Sequence, residues 1–121
     1  MTPDDSEKRL ATRTKQLALR VMKLVNSLPH SRVSDVLGKQ LLRSATSVGA
    51  NYRAAVRGRS TAEFCSKLGI VEEEADETVY WLELLAESGT VKPELLEDLT
   101  REANEIVAMV VASIRTAKQR Q

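Results

Sequence analysis

Few side chains in this chain could make or break bonds. There is one histidine, His30, and one cysteine, Cys65. His30 follows Pro29 in what reads as a turn, and no carboxylate motif accompanies it. A histidine so placed is ordinarily a solvated side chain. Some helical ribonucleases set an arginine a short distance ahead of a histidine, but here the nearest upstream arginine is Arg20, ten positions away. The run from Glu72 to Glu77 collects carboxylates, yet a charge run on a helix is ordinarily a wet face. It also lacks the Glu-x-x-His repeats of a di-iron bundle. No phosphate-binding loop or GxSxG nucleophile elbow is present. Cys65 lies near an apolar seam and reads as a small core residue, and a single cysteine excludes an internal disulfide. The expectation is a protein that is not an enzyme, with no catalytic, cofactor or metal-ligating residue.

The unusual chemistry is non-covalent. The stretch RSATSVGANYR, Arg43 to Arg53, should be helical, yet it is rich in residues that are poor helix formers. At about 100° per residue, Gln40, Ser44, Ser47 and Asn51 align in a narrow polar row beside the apolar face. Lys39, Arg43, Arg53 and Arg57 group on the next sector outward, with Arg59 just beyond. A later helix carries a complementary oddity: behind its core seam lie Ile70, Tyr80, Trp81 and Leu84, with Glu77 at their centre. A helix apolar on two sides has two partners, and clustered Trp and Tyr mark interfaces. One cause covers both features. Ser44, Ser47 and Asn51 would sit at a subunit boundary against Ile70, Glu77, Tyr80, Trp81 and Leu84 of a neighbour, with arginines pairing with Glu77 across it. The alternative is an RNA- or DNA-binding surface made by Lys39, Arg43, Arg53, Arg57 and Arg59. With few aromatics to stack on bases, it would contact mainly phosphate and be steeply salt-dependent.

The elements that must position these residues follow from apolar spacing. The first helix, about 3–28, carries Leu10, Leu17, Val21, Leu24, Val25 and Leu28, with Thr14 filling one place. Thr2 or Ser6 could cap it, and Pro29 stops it. The second, about 34–57, starts at a Ser34 cap and buries Leu37, Leu41, Ala45, Val48, Tyr52 and Ala55. Gly58 suits its C-terminal end, and Ser60 with Glu63 makes a capping box for the next helix. The third, about 61–88, has the cleanest seam: Phe64, Leu68, Val71, Ala75, Thr78, Leu82 and Leu85 alternate spacings of 4 and 3. Gly89 ends it, and Pro93 opens the fourth, about 93–118, with Leu96, Leu99, Ala103, Ile106, Val110, Ile114 and Ala117 inside. Short connections make consecutive helices antiparallel. The expected fold is all-α, a single-domain up-down-up-down four-helix bundle over residues 1–121.

The bulk numbers agree. A chain of 121 residues with 42% hydrophobic and 3% aromatic residues suits one all-α domain. Net charge is +1, but residues 1–60 hold 12 Lys/Arg against 4 Asp/Glu, while residues 61–121 hold 6 against 13. The halves are thus +8 and −7, which favours basic helices packed beside acidic ones over a nucleic-acid surface. With no signal peptide and no apolar run near the ~20 residues that cross a bilayer, a cytoplasmic protein without membrane partners is expected.

The segments LLRSATSVGANYR and RSTAEFCSKLGIVEEEADETVYWLELLAESG resemble the 23S ribosomal RNA intervening-sequence family of four-helix-bundle proteins. The resemblance runs from about Leu37 to Gly89. Arg43, Ser44, Ser47, Asn51 and Glu77 stand where that family has its arginine, small-residue run, asparagine and helix-three glutamate. Members often continue Ile-Ala-Glu-Gly after the asparagine, where this chain has Tyr52, Arg53, Ala54 and Ala55. Many have Gly-Ser at Glu73 and Glu74, so the chain reads as a side branch. The resemblance implies a ring-like homo-oligomer, with a pentamer expected, whose cellular role is poorly defined. A related accessory protein of diversity-generating retroelements binds a reverse transcriptase and nucleic acid, but it is markedly basic and this chain is not.

Overall fold

The computed structural model of the chain describes residues 5–120. Four helices follow one another: α1 (Asp5–Ser27), α2 (Arg32–Val56), α3 (Thr61–Glu87) and α4 (Pro93–Gln119). Each packs on two neighbours, in the cyclic order α1, α2, α3, α4, and the α1/α4 side is the lightest contact. Residue pairs fix the directions. Between α1 and α2, Tyr52 Oη donates to the Glu7 carbonyl at 3.3 Å, Gly49 lies against Thr14, and Gly38 lies against Val25 and Leu28. Between α1 and α4, Arg13 meets Glu102 and Arg20 meets Asp98. Numbers rise on one helix as they fall on the other, and the short turns on either side of α3 reverse the chain again, so the bundle is up-down-up-down.

The expected seams form the core. Leu10, Leu17 and Val21 meet Leu41, Val48, Leu68, Val71, Leu82, Leu85, Ile106 and Val110, all buried. Burying each such side chain stabilises the fold by roughly 1.5–3 kcal/mol. Ala45, Ala55, Ala75 and Ala103 keep the helices close. Phe64, Ile114 and Ala117, near one end of the bundle, are only partly buried.

Local chemistry sets the helix ends. Ser31, not Ser34, caps α2: its backbone is extended and its Oγ accepts from the Ser34 N–H at 3.0 Å. The helix therefore starts two residues before the expected cap. Ser34 itself is buried, with no protein hydrogen-bond partner for Oγ. Ser60 caps α3 as expected, accepting from Glu63 N–H at 3.1 Å. The Glu63 carboxylate returns to the Arg59 N–H at 3.2 Å, one residue earlier than in a standard capping box. On α1, Ser6 lies inside the helix, and Thr2 falls outside the described residues.

Two glycines serve different needs. Gly89, after α3, has φ +77°, a left-handed conformation that side chains resist. Gly58 has no positive φ, but a Cβ there would lie 3.0 Å from the Ala55 carbonyl and 3.3 Å from Phe64 N. It is demanded by the closeness of the turn rather than by handedness.

Candidate interaction surface

The polar row on α2 divides into an inner and an outer part. Ser44 is buried where α2 meets α3, and its Oγ lies 2.9 Å from Thr78 Oγ1. Each hydroxyl also reaches a backbone carbonyl of its own helix, Leu41 at 3.2 Å and Glu74 at 2.9 Å. The pair satisfies itself where small side chains allow close approach. This corrects the placement of Ser44 at a subunit boundary, because Ser44 offers nothing to a neighbour. Ser47 and Asn51 are half-buried and bond within α2: Asn51 Nδ2 donates to the Ser47 carbonyl at 2.9 Å and to Ser47 Oγ at 2.8 Å.

Arg43 stands one step further out. Its guanidinium pairs with Glu74 at 3.1 Å and also with Glu77, both on α3 of the same chain. The hydrogen bond to Glu77 is the main reason its pKa is raised. Glu77 Oε1 also accepts the Trp81 indole N–H at 3.2 Å. Trp81 meets Tyr80 edge to face, with ring centroids 5.1 Å apart and planes at 64°. The pairing expected across subunits is thus made within one chain, and it braces the aromatic pair.

Around that cluster lies an apolar face. Tyr80 is 52% exposed, Ile70 39%, and Val36 60%. Trp81 and Leu84 straddle the boundary, partly buried against the core. The register that sets Arg43 beside Glu77 puts Val36, two turns earlier on α2, level with Leu84, two turns later on α3. Val33, also exposed, extends the patch. The sequence reading missed both valines because it followed the inner row of α2. Val36 was apolar out of phase with Leu37 and Leu41, and Val33 lay ahead of the expected helix start at Ser34.

The basic residues differ in their settings. Arg43 is committed to α3, and Lys39 is exposed on the outer side of α2. Arg53 and Arg57 instead line a groove between α2 and α1, together with Lys8 and Lys15, which the sequence reading did not single out. Arg59 lies in the following turn, its N–H held by Glu63.

A further cluster escaped the sequence reading because it joins the chain's two ends. Arg13 on α1 forks onto Glu102 of α4, with Nε to Oε2 at 2.8 Å and Nη2 to Oε1 at 2.5 Å. It also reaches Glu105 at 2.6 Å and Met109 Sδ at 3.1 Å. The hydrogen bond from Arg13 is the main cause that holds the Glu102 carboxyl below its ordinary pKa. His30 is exposed in the first turn, and Cys65 is a half-buried free thiol. Among the described residues, no group of three His, Cys, Asp or Glu side chains is placed to hold a metal ion.

The family model for the 23S rRNA-intervening sequence protein matches residues 7–112. The chain belongs to this family. The match takes in most of α1 and α4, beyond the central segment that carried the resemblance in sequence. A crystal structure of another S23 ribosomal protein family member, a protein with unknown function from Bacteroides thetaiotaomicron, is 34% identical. Its TM-score is 0.85, over 91% of this chain and 98% of that one. Among curated proteins none matches. Of the described residues in this 23S rRNA-intervening sequence protein family member, no helix is long and apolar enough to cross a membrane.

Proposed function

We propose that this protein is a non-enzymatic, self-assembling interaction module whose subunits meet through the outer face of α2 and α3. One observation carries the reading. Tyr80, Ile70, Val33 and Val36 stay exposed around a Trp81–Glu77–Arg43 cluster already ordered within the chain. Anchors braced in advance lose little entropy on association, and clustered exposed aromatics are what interfaces use. Self-assembly would cover this face, and the family resemblance favours five subunits. In this reading Ser47, Asn51, Ile70, Glu77, Tyr80, Trp81 and Leu84 contact or border the neighbour, and Ser44 supports them from inside.

The nucleic-acid reading draws less support. Its cations are spread along α2 and the following turn, and Arg43 is already paired within the chain. The test is the mass of a Tyr80→Glu variant in solution. It should fall to that of a single chain while helix content is kept. A variant of unchanged oligomeric mass would show that this face is not the contact.

A further inference from the structure

We propose that the groove between α1 and α2 is a docking site for an acidic amphipathic helix of a partner protein. This goes beyond self-assembly, which uses the α2/α3 face.

The groove has a volume of about 500 Å³ and is rimmed by Lys8 and Lys15 from α1 and Arg53 and Arg57 from α2. None of these four makes an ion pair among the described residues, whereas Arg13, Arg20, Arg43 and Arg101 all do. Glu7 is the carboxylate on its lining. Much of the rest is short: Ala11, Ala18, Gly49 and Ala50. Short side chains between two helices let a third helix lie close. Apolar side chains of that helix would cover the alanines, and its carboxylates would meet the cations. Lys8 and Lys15 are two turns apart, about 10 Å along the axis, so the guest presents acids at matching helical spacing. This is recognition of an amphipathic helix in a groove.

Two other occupants fit less well. The chain's own acids on the α3/α4 groove, Glu83, Glu87 and Glu97, make no ion pair among the described residues. They lie toward the end of the bundle where α3 finishes and α4 begins. The cations lie toward the opposite end, where α1 begins and α2 finishes. A second copy brings the two clusters level only when laid antiparallel, and in that case Lys15→Glu with Arg53→Glu would lower the oligomeric mass and overturn the proposal. A nucleic-acid backbone would use the cations but leave the apolar lining wet. The aromatic of that lining, Tyr52, is buried in the core and offers no stacking platform.

The test is binding of a labelled synthetic helix of Leu, Ala and Glu to the full-length protein, read by fluorescence anisotropy. A scrambled peptide of the same composition is the control. Lys15→Glu with Arg53→Glu removes the charge match, and Ala50→Trp blocks the groove without changing charge. The amphipathic peptide should bind saturably and the scrambled one should not. Each variant should weaken binding about tenfold or more, with helix content and oligomeric mass unchanged. Equal binding of both peptides would overturn the proposal, as would full binding by Ala50→Trp. So would a loss of peptide binding caused by Tyr80→Glu alone, which would place the contact on the α2/α3 face. A single-stranded oligonucleotide that binds more tightly than the peptide, and is lost only in the charge variant, would overturn it in favour of a polyanion surface.

Discussion

Arg43 of α2 and Glu77 of α3 form an ion pair inside one chain, and the same Glu77 oxygen accepts the indole N–H of Trp81 at 3.2 Å. A carboxylate thus fixes both a cross-helix contact and the pose of an aromatic at the edge of the exposed face. Glu77→Gln should keep an acceptor for the indole and cost little stability, because Arg43 is half exposed and solvent screens the pair. Glu77→Leu removes the acceptor. It should change the emission of the chain's one tryptophan and weaken self-association. Unchanged emission and mass in Glu77→Leu would separate this carboxylate from the interface.

The Arg13–Glu102 clasp on the α1/α4 side should give the protein part of its acid sensitivity. Glu102 is partly buried and its folded pKa lies below its unfolded value, with the Arg13 hydrogen bond as the main cause. The contribution is therefore fully present above the unfolded carboxylate pKa and is lost as pH falls through the folded one. Glu102→Gln should cost on the order of 1 kcal/mol at neutral pH. It should also converge toward wild type in acid. Denaturant titrations across that range, at fixed protein concentration, would show parallel curves if the clasp contributed nothing.

The seams on all four helices were legible because each core position repeats at helical spacing and no local feature competes. Leu68, Val71, Ala75 and Leu82 are buried where that spacing puts them. Ser44 was half legible. Its type and position announced a special contact, but its partner, Thr78, is 34 residues away, and only the packed register shows that the pair closes inside the chain. Arg13 and Glu102, 89 residues apart, carried no local signal at all. Ser31 and Ser34 were equally good caps by type. The choice depended on where the chain leaves the turn after Pro29.

Two glycines should respond to alanine with opposite signs. Gly69 lies inside α3, and a Cβ there meets nothing within 4 Å. Gly69→Ala should stabilise the protein by roughly 0.5–1 kcal/mol through helix propensity. Gly89 has φ +77°, and Gly89→Ala should destabilise it by about 1–2 kcal/mol through left-handed strain. Thermal unfolding of the two variants checks the contrast. A stabilising change at Gly89 would contradict the geometry of the α3 terminus.

Self-assembly through the α2/α3 face, with Trp81 as its braced anchor, is open to multi-angle light scattering of wild type and Trp81→Ala at micromolar concentration. The wild-type mass should be several times 13.4 kDa, with five subunits preferred. The Trp81→Ala mass should lie near that of one chain, with most helix content retained, since losing an aromatic anchor buried on association costs about 2–4 kcal/mol of binding. A wild-type protein of single-chain mass would rule out assembly through this face, and a Trp81→Ala variant that stays fully assembled would rule out Trp81 as its anchor.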